Sequence, residues 1–331
     1  MSLVKAPPAT ASRLRKEAMP DEKDFPSATE SEIKAALKAM AGTAIDHVVV
    51  YDVGQGAAVG LCDAAGAVLL YNDFGGGVLG NTRTYPSGLK QFCFNHAPPI
   101  ILSHWDWDHW KSENVDTRAQ SRVWLAPQQK VGSVHTTFMH RIKAAGGSLV
   151  LWPAAPAAPT SVSVGPLQIE RCTGANRNNS GLALILHEKT DATGVKMLFP
   201  GDARYDFIPS HKGSFASLMV PHHGGDMGRR WAPAKPSSGH TRAVYSFGRR
   251  NTFGHPRRVT RQDHDSAGWD DADLHGRISP NDVRKTTVRL KAGGLGHVQL
   301  TWTTSHSLLG KACNAMPCGT HPVCQLEPHQ S

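Results

Sequence analysis

The chain has 331 residues, of which 40% are hydrophobic and 19% are charged, a balance that indicates a globular protein and excludes an intrinsically disordered one. The net charge of +9 favours anionic partners but specifies no fold. No run of about 18 apolar residues occurs, and the charged N-terminus lacks the apolar segment of a secretory signal, so we expect a cytoplasmic protein without a membrane span.

The first 45 residues are predicted to form a flexible N-terminal arm and one short helix. Residues 1–30 are rich in proline, alanine and charge, which is typical of a flexible segment. In the stretch SATESEIKAALKAMAG, either Ser27 or Thr29 is placed to cap a short helix that Gly42 would end.

From residue 46 onward, short apolar runs separated by glycine-containing turns predict strands in two successive groups. The first group comprises strands at 46–53, 57–62, 67–73, 99–103, 122–126 and 148–152, with helices around 87–96 and 127–144. The second group follows the linker PAAPAAPT, with strands at 167–172, 181–188, 195–200, 217–223, 242–248, 286–291 and 297–303. This order predicts an α/β fold in which two sheets pack together with helices outside, as a four-layer αββα sandwich.

The sequence SHWDWDHW, residues 103–110, carries four ligand-type side chains directly after a predicted strand. They are His104, Asp106, Asp108 and His109. Carboxylate oxygens and imidazole nitrogens bind divalent ions, and a tight turn directs neighbouring side chains toward two adjacent ions. A solvated loop also carries such residues by coincidence, so this motif alone leaves both interpretations open.

Three later apolar runs end in the same types of side chain. Asp202 follows one run in MLFPGDARYD, His222 and His223 follow the next in SLMVPHHGGD, and His255 lies in the turn RRNTFGHP. A single histidine after a strand is usually structural. Four strand-end clusters are hard to ascribe to chance, and they predict a dinuclear metal site that activates water for hydrolysis.

The motifs DVGQG, SHWDWDH, NNSGLAL, FPGDA, VPHHGG and NTFGHP occur in an order that resembles the metallo-β-lactamase superfamily. The chain looks most like the hydrolase domain of ComEC-type competence proteins, over about residues 46–260, without their membrane channel. The resemblance implies the metallo-β-lactamase type of αββα sandwich. It places a hydrolase domain at 46–305 and leaves 306–331 as a tail containing cysteine and histidine.

The resemblance also implies which residues hold the ions. His104 and Asp106 match the ligands of one ion, Asp108 and His109 match those of the other, and Asp202 matches the carboxylate that bridges them.

The remaining histidines are assigned less uniquely by the resemblance. His255 is the best match for the last histidine ligand, while His223 or His222 would act as a catalytic proton shuttle, alongside Asp108, or replace His255 as the ligand. Asp52 matches an aspartate that supports the ligands by hydrogen bonds from behind, and Asn179 is the second candidate for such support.

The metal preference follows from two departures from the superfamily pattern. Asp106 stands where many members have a histidine, and Asn179 or Asn178 occupies a region where many members place another histidine ligand. Oxygen ligands suit harder ions than imidazole does, so two divalent ions of Zn²⁺ or Mn²⁺ are expected, with Mg²⁺ as a further option.

A basic segment indicates the substrate. No Asp or Glu occurs between residues 229 and 261, and four arginines flank the His255 turn as candidate substrate-binding residues, namely Arg249, Arg250, Arg257 and Arg258. Such a stripe beside a metal centre suits phosphates, and Trp105, Trp107 and Trp110 are candidate surfaces for base stacking. We therefore expect a phosphodiesterase, specifically a nuclease, with nucleic acid or another phosphodiester as its partner.

Two other functions stay open at the level of sequence. The same centre would suit hydrolysis of a small ester, lactone, amide or cyclic nucleotide if the cleft were closed and apolar. A nucleic-acid-binding protein with a vestigial metal site is the second alternative.

The cysteines are assigned to two environments. Cys62, Cys93 and Cys172 lie on strand or helix patterns and are predicted to be core residues. Cys313, Cys318, His321 and Cys324 in the tail match the ligand types of a structural zinc site, although their spacing equally suits a loose or partly disulfide-linked tail.

Overall fold

Two mixed seven-stranded β-sheets pack face to face and form most of the molecule. The computed structural model describes residues 17–154, 159–188, 194–228, 232–277, 282–287 and 295–302. The prediction of an α/β protein built on two packed sheets is confirmed, because the few helices of the described residues lie around these sheets. The cysteine-containing tail lies outside the described residues.

The first sheet is built mainly from the N-terminal half of the chain. Its strands are β1 (His47–Val50), β2 (Ala58–Cys62), β3 (Val68–Phe74), β4 (Ile100–Ile101), β5 (Val123–Pro127), β6 (Ser148–Trp152) and β14 (Val298–Thr301). Their order across the sheet is β14-β1-β2-β3-β4-β5-β6. The strands from β14 to β3 pair antiparallel, and those from β3 to β6 pair parallel.

The second sheet repeats this pattern of strand directions. Its strands are β7 (Ser161–Val164), β8 (Leu167–Arg171), β9 (Leu182–His187), β10 (Lys196–Phe199), β11 (Ser217–Met219), β12 (Arg242–Tyr245) and β13 (Val283–Lys285). The strands from β7 to β10 pair antiparallel, and those from β10 to β13 pair parallel. The two halves of the chain therefore share one arrangement, although the sequence shows no evident repeat.

The core between the sheets is formed by alternate residues of each strand. Val48 and Val50 of β1 contact this inner core, whereas Val49 packs on the outer face of the first sheet. In β9, Leu184 faces the inner core and Ile185 faces the outer side of the second sheet. Because both faces of each sheet are covered, the strands consist of nearly continuous apolar residues.

Three α-helices lie among the described residues. Helix α1 (Glu30–Ala36) begins at Thr29, whose side chain forms a capping box with Glu32, one of the two caps that the sequence predicts. Helix α2 (Ser133–Ala144) packs on the outer face of the first sheet, and helix α3 (Arg258–Ser266) covers the outer face of the second.

The segment before α1 is packed, in contrast to the expected flexible arm. Ala18 exchanges two backbone hydrogen bonds with Val131, at 3.0 and 2.8 Å, and Phe25 is buried against the first sheet. Ile33 and Leu37 are buried in the core between the sheets. Burial of these apolar side chains stabilises the described part of the arm on the sandwich.

One prediction of secondary structure is wrong, and two elements were not predicted. Residues 87–96 form no helix, because side chains satisfy their backbone: the Phe92 N–H donates to Asp116, and the carbonyl of Cys93 accepts from Tyr71. The spacing of their apolar residues resembles that of a helix, but here these side chains are buried in an irregular segment. Strand β7 and helix α3 were missed, since both are rich in polar residues.

Within the part of the chain that the structure describes, no helix is long and apolar enough to cross a membrane. Cys62, Cys93 and Cys172 are buried and carry free thiols, as expected for core cysteines.

Candidate metal centre

The predicted ligands meet because of the strand directions. Strands β3 and β4 are parallel, so their C-terminal ends bring Asp73 and the loop of residues 103–110 together. Strands β10, β11 and β12 are also parallel, and Asp202, the His222–His223 pair and His255 follow their respective ends. Side chains at the C-terminal ends of parallel strands gather at one edge, which is where α/β proteins place their ligands.

Close backbone packing fixes the loop that carries Asp108. A Cβ atom added to Gly75 would lie 1.7 Å from the Asp108 carbonyl oxygen, and one added to Gly56 would lie 2.6 Å from the same oxygen. That oxygen accepts a hydrogen bond from the Ala57 N–H at 3.0 Å. Gly56 of DVGQG and Gly75 of DFGGG are therefore needed, because the loop that carries Asp108 packs directly on them.

A first group of ligand atoms lies around the two carboxylate oxygens of Asp202. His104 Nε2 lies 3.6 Å from Asp202 Oδ2, and His109 Nε2 lies 3.1 Å from Asp202 Oδ1. Asp106 Oδ2 lies 3.5 Å from His104 Nε2 on the more exposed side. The three residues His104, His109 and Asp202 are close enough together to hold one ion.

A second group shares a member with the first. His223 Nε2 lies 3.2 Å from Asp108 Oδ2 and 3.6 Å from Asp202 Oδ1. Asp108, His109 and His223 are close enough to hold an ion. Asp202 thus lies beside both groups.

Four buried atoms of this cluster have no hydrogen-bond partner. They are Nε2 of His104, Nε2 of His109, Nε2 of His223 and Oδ1 of Asp202. A buried polar atom without a partner costs about 1–3 kcal/mol, so such a concentration requires a compensating interaction. A divalent cation would supply it, because imidazole nitrogen and carboxylate oxygen are metal ligands.

The other ring nitrogen of each of these histidines is held in place. Nδ1 of His109 contacts Asp73 Oδ2 at 2.8 Å, and Nδ1 of His223 contacts the Ser246 carbonyl at 2.9 Å. Nδ1 of His104 contacts Ser103 Oγ at 3.0 Å. With an acceptor at each Nδ1, the neutral form of each imidazole would present the Nε2 lone pair toward the cluster, as metal ligands require.

Electrostatics keep the carboxylates ionised. Burial alone would raise the pKa of Asp202, but the neighbouring His109 and His223 outweigh burial and hold the pKa well below its usual range. The pKa of Asp108 is lowered in the same way against burial by His223 and His109. Anionic carboxylates are the form that binds metal.

The pKa of Asp106 is also lowered, although burial opposes the shift. Attraction from the neighbouring His104, whose Nε2 lies 3.5 Å from Asp106 Oδ2, stabilises the charge, and Arg177 Nη1 adds a hydrogen bond to Asp106 Oδ1 at 2.8 Å. Arg177 was not predicted, because nothing in NRNNSG distinguishes it from a surface arginine.

The His222–His223 turn has a strained backbone. Both residues adopt left-handed conformations, with φ of 52° and 55°, which non-glycine residues rarely do. The turn is closed by a hydrogen bond from the Gly225 N–H to the His222 carbonyl at 2.7 Å. Strain of this kind is typical of functional sites, and here it directs His223 inward and leaves His222 partly exposed, with Nε2 4.0 Å from Asp202 Oδ2.

His255 lies farther from the cluster of ligand atoms than the sequence predicts. Among the described residues it belongs to neither group of ligand atoms, and its ring centroid is 6.4 Å from that of His223. Its Nδ1 lies 3.4 Å from Gln55 Nε2, and burial with the nearby His223 and His222 lowers its pKa to about 4. The geometry thus favours His223 over His255 as the final histidine ligand, because the His223 Nε2 contacts both Asp108 and Asp202.

The two predicted supporting residues organise loops. Asp52 accepts hydrogen bonds from the backbone N–H groups of Gly54, at 3.3 Å, and Gly296, at 3.0 Å. Asn179 Oδ1 accepts from the Arg204 N–H at 2.9 Å, in the loop after Asp202. The direct support of a ligand comes instead from Asp73, the second-to-last residue of β3, which was not predicted.

The centre opens into a cleft of about 800 Å³. Of the four arginines proposed from sequence, Arg257 lines this cleft, whereas Arg249, Arg250 and Arg258 are exposed outside its lining. Arg177 adds a second cation to the wall. The basic segment is also partly neutralised, because later parts of the chain fold back onto it: Lys235 pairs with Asp282, and Arg261 pairs with Asp271.

Only one of the three tryptophans of the motif faces the cleft. Trp107 lines it, whereas Trp105 and Trp110 are buried in the core under the first sheet's outer face. The remaining apolar wall includes Phe253, which is 40% exposed and stacks on His255 with ring centroids 5.6 Å apart. Trp105 and Trp110 therefore stabilise the loop rather than contact a substrate.

Comparisons with known proteins add little to this picture. The chain matches no protein-family model and no curated protein. It is similar to a solved structure, the crystal structure of a protein of unknown function from Enterococcus faecalis V583, with 13% sequence identity and a TM-score of 0.31. The alignment covers 58% of this chain and 52% of that one, so the chain spans about half the length of the structure it matches.

Proposed function

We propose that this protein is a metal-dependent hydrolase of the metallo-β-lactamase superfamily, and that it cleaves phosphodiester bonds as a nuclease. The observation that carries the proposal is the set of four buried, unpartnered ligand atoms around Asp202. The ordered sequence motifs and the two-sheet arrangement with outer helices support the superfamily and its αββα form.

The residues present fit two divalent ions, Zn²⁺ or Mn²⁺ with Mg²⁺ as a further option. His104, Asp106 and Asp202 would hold one, and Asp108, His109 and His223 the other, with Asp202 also adjoining the second group. When bound, such ions supply Lewis-acid activation of water and of the scissile bond.

The protein's own groups position an anionic substrate above this centre. Arg257 and Arg177 line the cleft on the substrate side, and both attract phosphate oxygens. His222 is partly exposed to the cleft and lies near Asp202, so it is placed to pass a proton to the departing oxygen. Phe253 and Trp107 shield one wall from water and offer ring faces for a base.

The experiment combines metal analysis with a substrate screen on the full chain. Purified protein is incubated with single- and double-stranded DNA and RNA in Zn²⁺, Mn²⁺ or Mg²⁺. A double variant, His104→Ala with Asp202→Ala, should lose bound metal and cleavage together. His211→Gln, at a part-buried histidine away from the cleft, serves as the control and should keep both. Cleavage that persists in the double variant contradicts the proposal.

A second candidate function is hydrolysis of a small molecule such as an ester, lactone or cyclic nucleotide. Two observations favour it: the cleft volume of about 800 Å³ lies in the range of small-ligand pockets, and Val78, Leu79, Val134 and Phe253 give it an apolar wall. Activity on such substrates with none on nucleic acid would select this function. Nucleic-acid binding with substoichiometric metal would instead select a vestigial site.

A further inference from the structure

A second cleft, of about 530 Å³, lies beside the metal centre and has a cationic lining. It is lined by Arg171, Lys130 and Arg177, and Glu17 is the one carboxylate among its described lining residues. Arg177 lines both clefts, so the two sites share a wall. Because Arg177 also pairs with Asp106, these three cations face two carboxylates and leave an excess of about one positive charge.

Arg171 is the unusual member of this lining. It is only 6% exposed, and its Nη2 donates to the Gln128 carbonyl at 2.8 Å, whereas its Nη1 is buried without a hydrogen-bond partner. No carboxylate within the described residues pairs with it. Burial lowers the pKa of Arg171 to about 10, which still leaves the guanidinium charged at neutral pH.

A buried charge without a counter-charge is costly, and proteins normally pair it. Arg141, elsewhere in the chain, illustrates the usual solution, since it pairs with the buried Glu113. Arg171 lacks such a partner although it lines a cleft large enough for a ligand. Arg177, in the same wall, also has a buried Nε without a partner.

We propose that this second cleft binds a phosphate group through Arg171, Arg177 and Lys130. A phosphate fits better than a carboxylate, because its several oxygens accept hydrogen bonds from several donors at once and its negative charge complements the excess positive charge. The side chains of Gln129 and Asn176 add neutral polar groups to the lining.

The shared residue links this phosphate site to the metal centre. Arg177 donates to Asp106 Oδ1 at 2.8 Å and pairs with Glu17, so a phosphate competes with Glu17 for the same guanidinium. The phosphate comes either from a free anion or from a nucleic-acid strand that passes from one cleft to the other. The strand source rests on the proposed function, whereas binding of a free phosphate does not.

The test is a calorimetric titration of the metal-free full chain with inorganic phosphate in a chloride buffer. Saturable binding is expected, and Arg171→Met should weaken it about tenfold or more because a buried charge-assisted interaction is lost. Lys130→Met should weaken binding about threefold, and it leaves the fold intact because Lys130 is exposed. Arg122→Met, a surface arginine outside both clefts, is the control and should bind as wild type.

Two results overturn the proposal: no saturable binding of phosphate to the wild-type chain, or unchanged binding in both Arg171→Met and Lys130→Met. If Arg171→Met does not fold, Lys130→Met alone decides. Because the titration needs no metal and no turnover, its outcome does not depend on whether the protein is a hydrolase.

A second titration, with a short single-stranded oligonucleotide, distinguishes the two sources. Equal weakening of oligonucleotide and phosphate binding in Arg171→Met assigns the site to a strand. Weakening of phosphate binding alone assigns it to a free phosphate.

Discussion

His109 donates a hydrogen bond from Nδ1 to Oδ2 of Asp73 at 2.8 Å, and both side chains are buried. Asp73 also accepts hydrogen bonds from the backbone N–H and the hydroxyl of Ser103, at 2.7 and 2.8 Å. The end of β3 therefore fixes the loop that follows β4. The orientation of His109, and with it the contact between its Nε2 and Asp202, depends on this one carboxylate.

Replacement of Asp73 by asparagine should weaken metal binding about 10- to 100-fold while the chain still folds. The amide NH₂ of asparagine would face a donor, either from Ser103 or from His109, which would turn the imidazole away from its present orientation. Metal titration of the apo protein measures the effect. Asp63→Asn, which alters a turn away from the centre, is the matched control, and equal affinities for the two variants would contradict this role of Asp73.

Gly75→Ala should destabilise the chain by about 2 kcal/mol and lower its metal content. The added Cβ would lie 1.7 Å from the Asp108 carbonyl oxygen, so the loop that carries Asp108 must move. Urea unfolding together with metal analysis measures both effects. Gly88→Ala is the control, since its added Cβ would lie 3.9 Å from the nearest atom, Leu295 Cδ2. Wild-type metal content in Gly75→Ala would show that the loop tolerates the shift.

Arg257→Gln should raise KM for a nucleic-acid substrate and reduce the salt dependence of binding by about one counterion. Arg258→Gln, one position along the chain, should change both far less, because Arg258 lies outside the lining of the cleft. Binding measured across a series of salt concentrations compares them. If the two variants behave alike, the basic segment acts as a diffuse field rather than through a contact in the cleft.

Phe253→Ala should weaken binding of single-stranded substrate by about 1–3 kcal/mol, the usual contribution of base stacking on an aromatic ring. Val259→Ala is the comparison, since Val259 is similarly exposed, at 37%, but does not line the cleft. Fluorescence anisotropy with a labelled strand, in the absence of metal, separates binding from turnover. An unchanged affinity in Phe253→Ala would assign this ring to packing on His255 alone.

His264 should make the fold sensitive to mild acid. It is buried, it donates from Nδ1 to the Thr260 carbonyl at 2.7 Å, and its Nε2 accepts from the Tyr205 hydroxyl at 2.8 Å. Burial lowers its pKa from 6.5 to about 4. Between these values the unfolded chain binds a proton that the folded chain excludes, so the free energy of unfolding falls as the pH falls, by about 3 kcal/mol in total.

Urea unfolding at pH 7 and pH 4.5 checks this expectation. His264→Phe should be less stable at pH 7, because Tyr205 loses its acceptor, but it should lose less stability on acidification than the wild type. His275→Gln, at an exposed histidine, should keep the wild-type dependence on pH. The same loss in all three proteins would mean that other groups dominate the acid response.

The sequence predicts the elements that carry chemistry better than those that cover them. Strands such as β9 and β10 consist of continuous apolar residues, so their positions are evident, and the polar residues after each strand then indicate the edge where ligands gather. Helix α3 is too polar to give such a signal, since only Thr260 and His264 are buried. Residues 87–96 give a misleading signal, because the hydrogen-bond partners of their backbone, such as Asp116, lie elsewhere in the chain.

The limits at the site have a similar origin. His104, His109 and Asp202 were recognised because each belongs to a motif with several ligand-type residues. Asp73 lies inside β3 and belongs to no motif of several ligand-type residues, and its role depends on a contact with His109 that only the parallel pairing of β3 and β4 creates. The choice between His223 and His255 depends on a left-handed turn that no sequence pattern announces.

The repeated order of strand directions has a mechanical consequence. His104 and His109 belong to the half of the chain that ends at β6, whereas Asp202 and His223 belong to the half that begins at β7. An ion bound between them would connect the two sheets at one edge. Its binding free energy would therefore add to the free energy of unfolding of the sandwich. Withdrawal of the ions would then leave a molecule whose halves part more readily at that edge than at the side closed by α1.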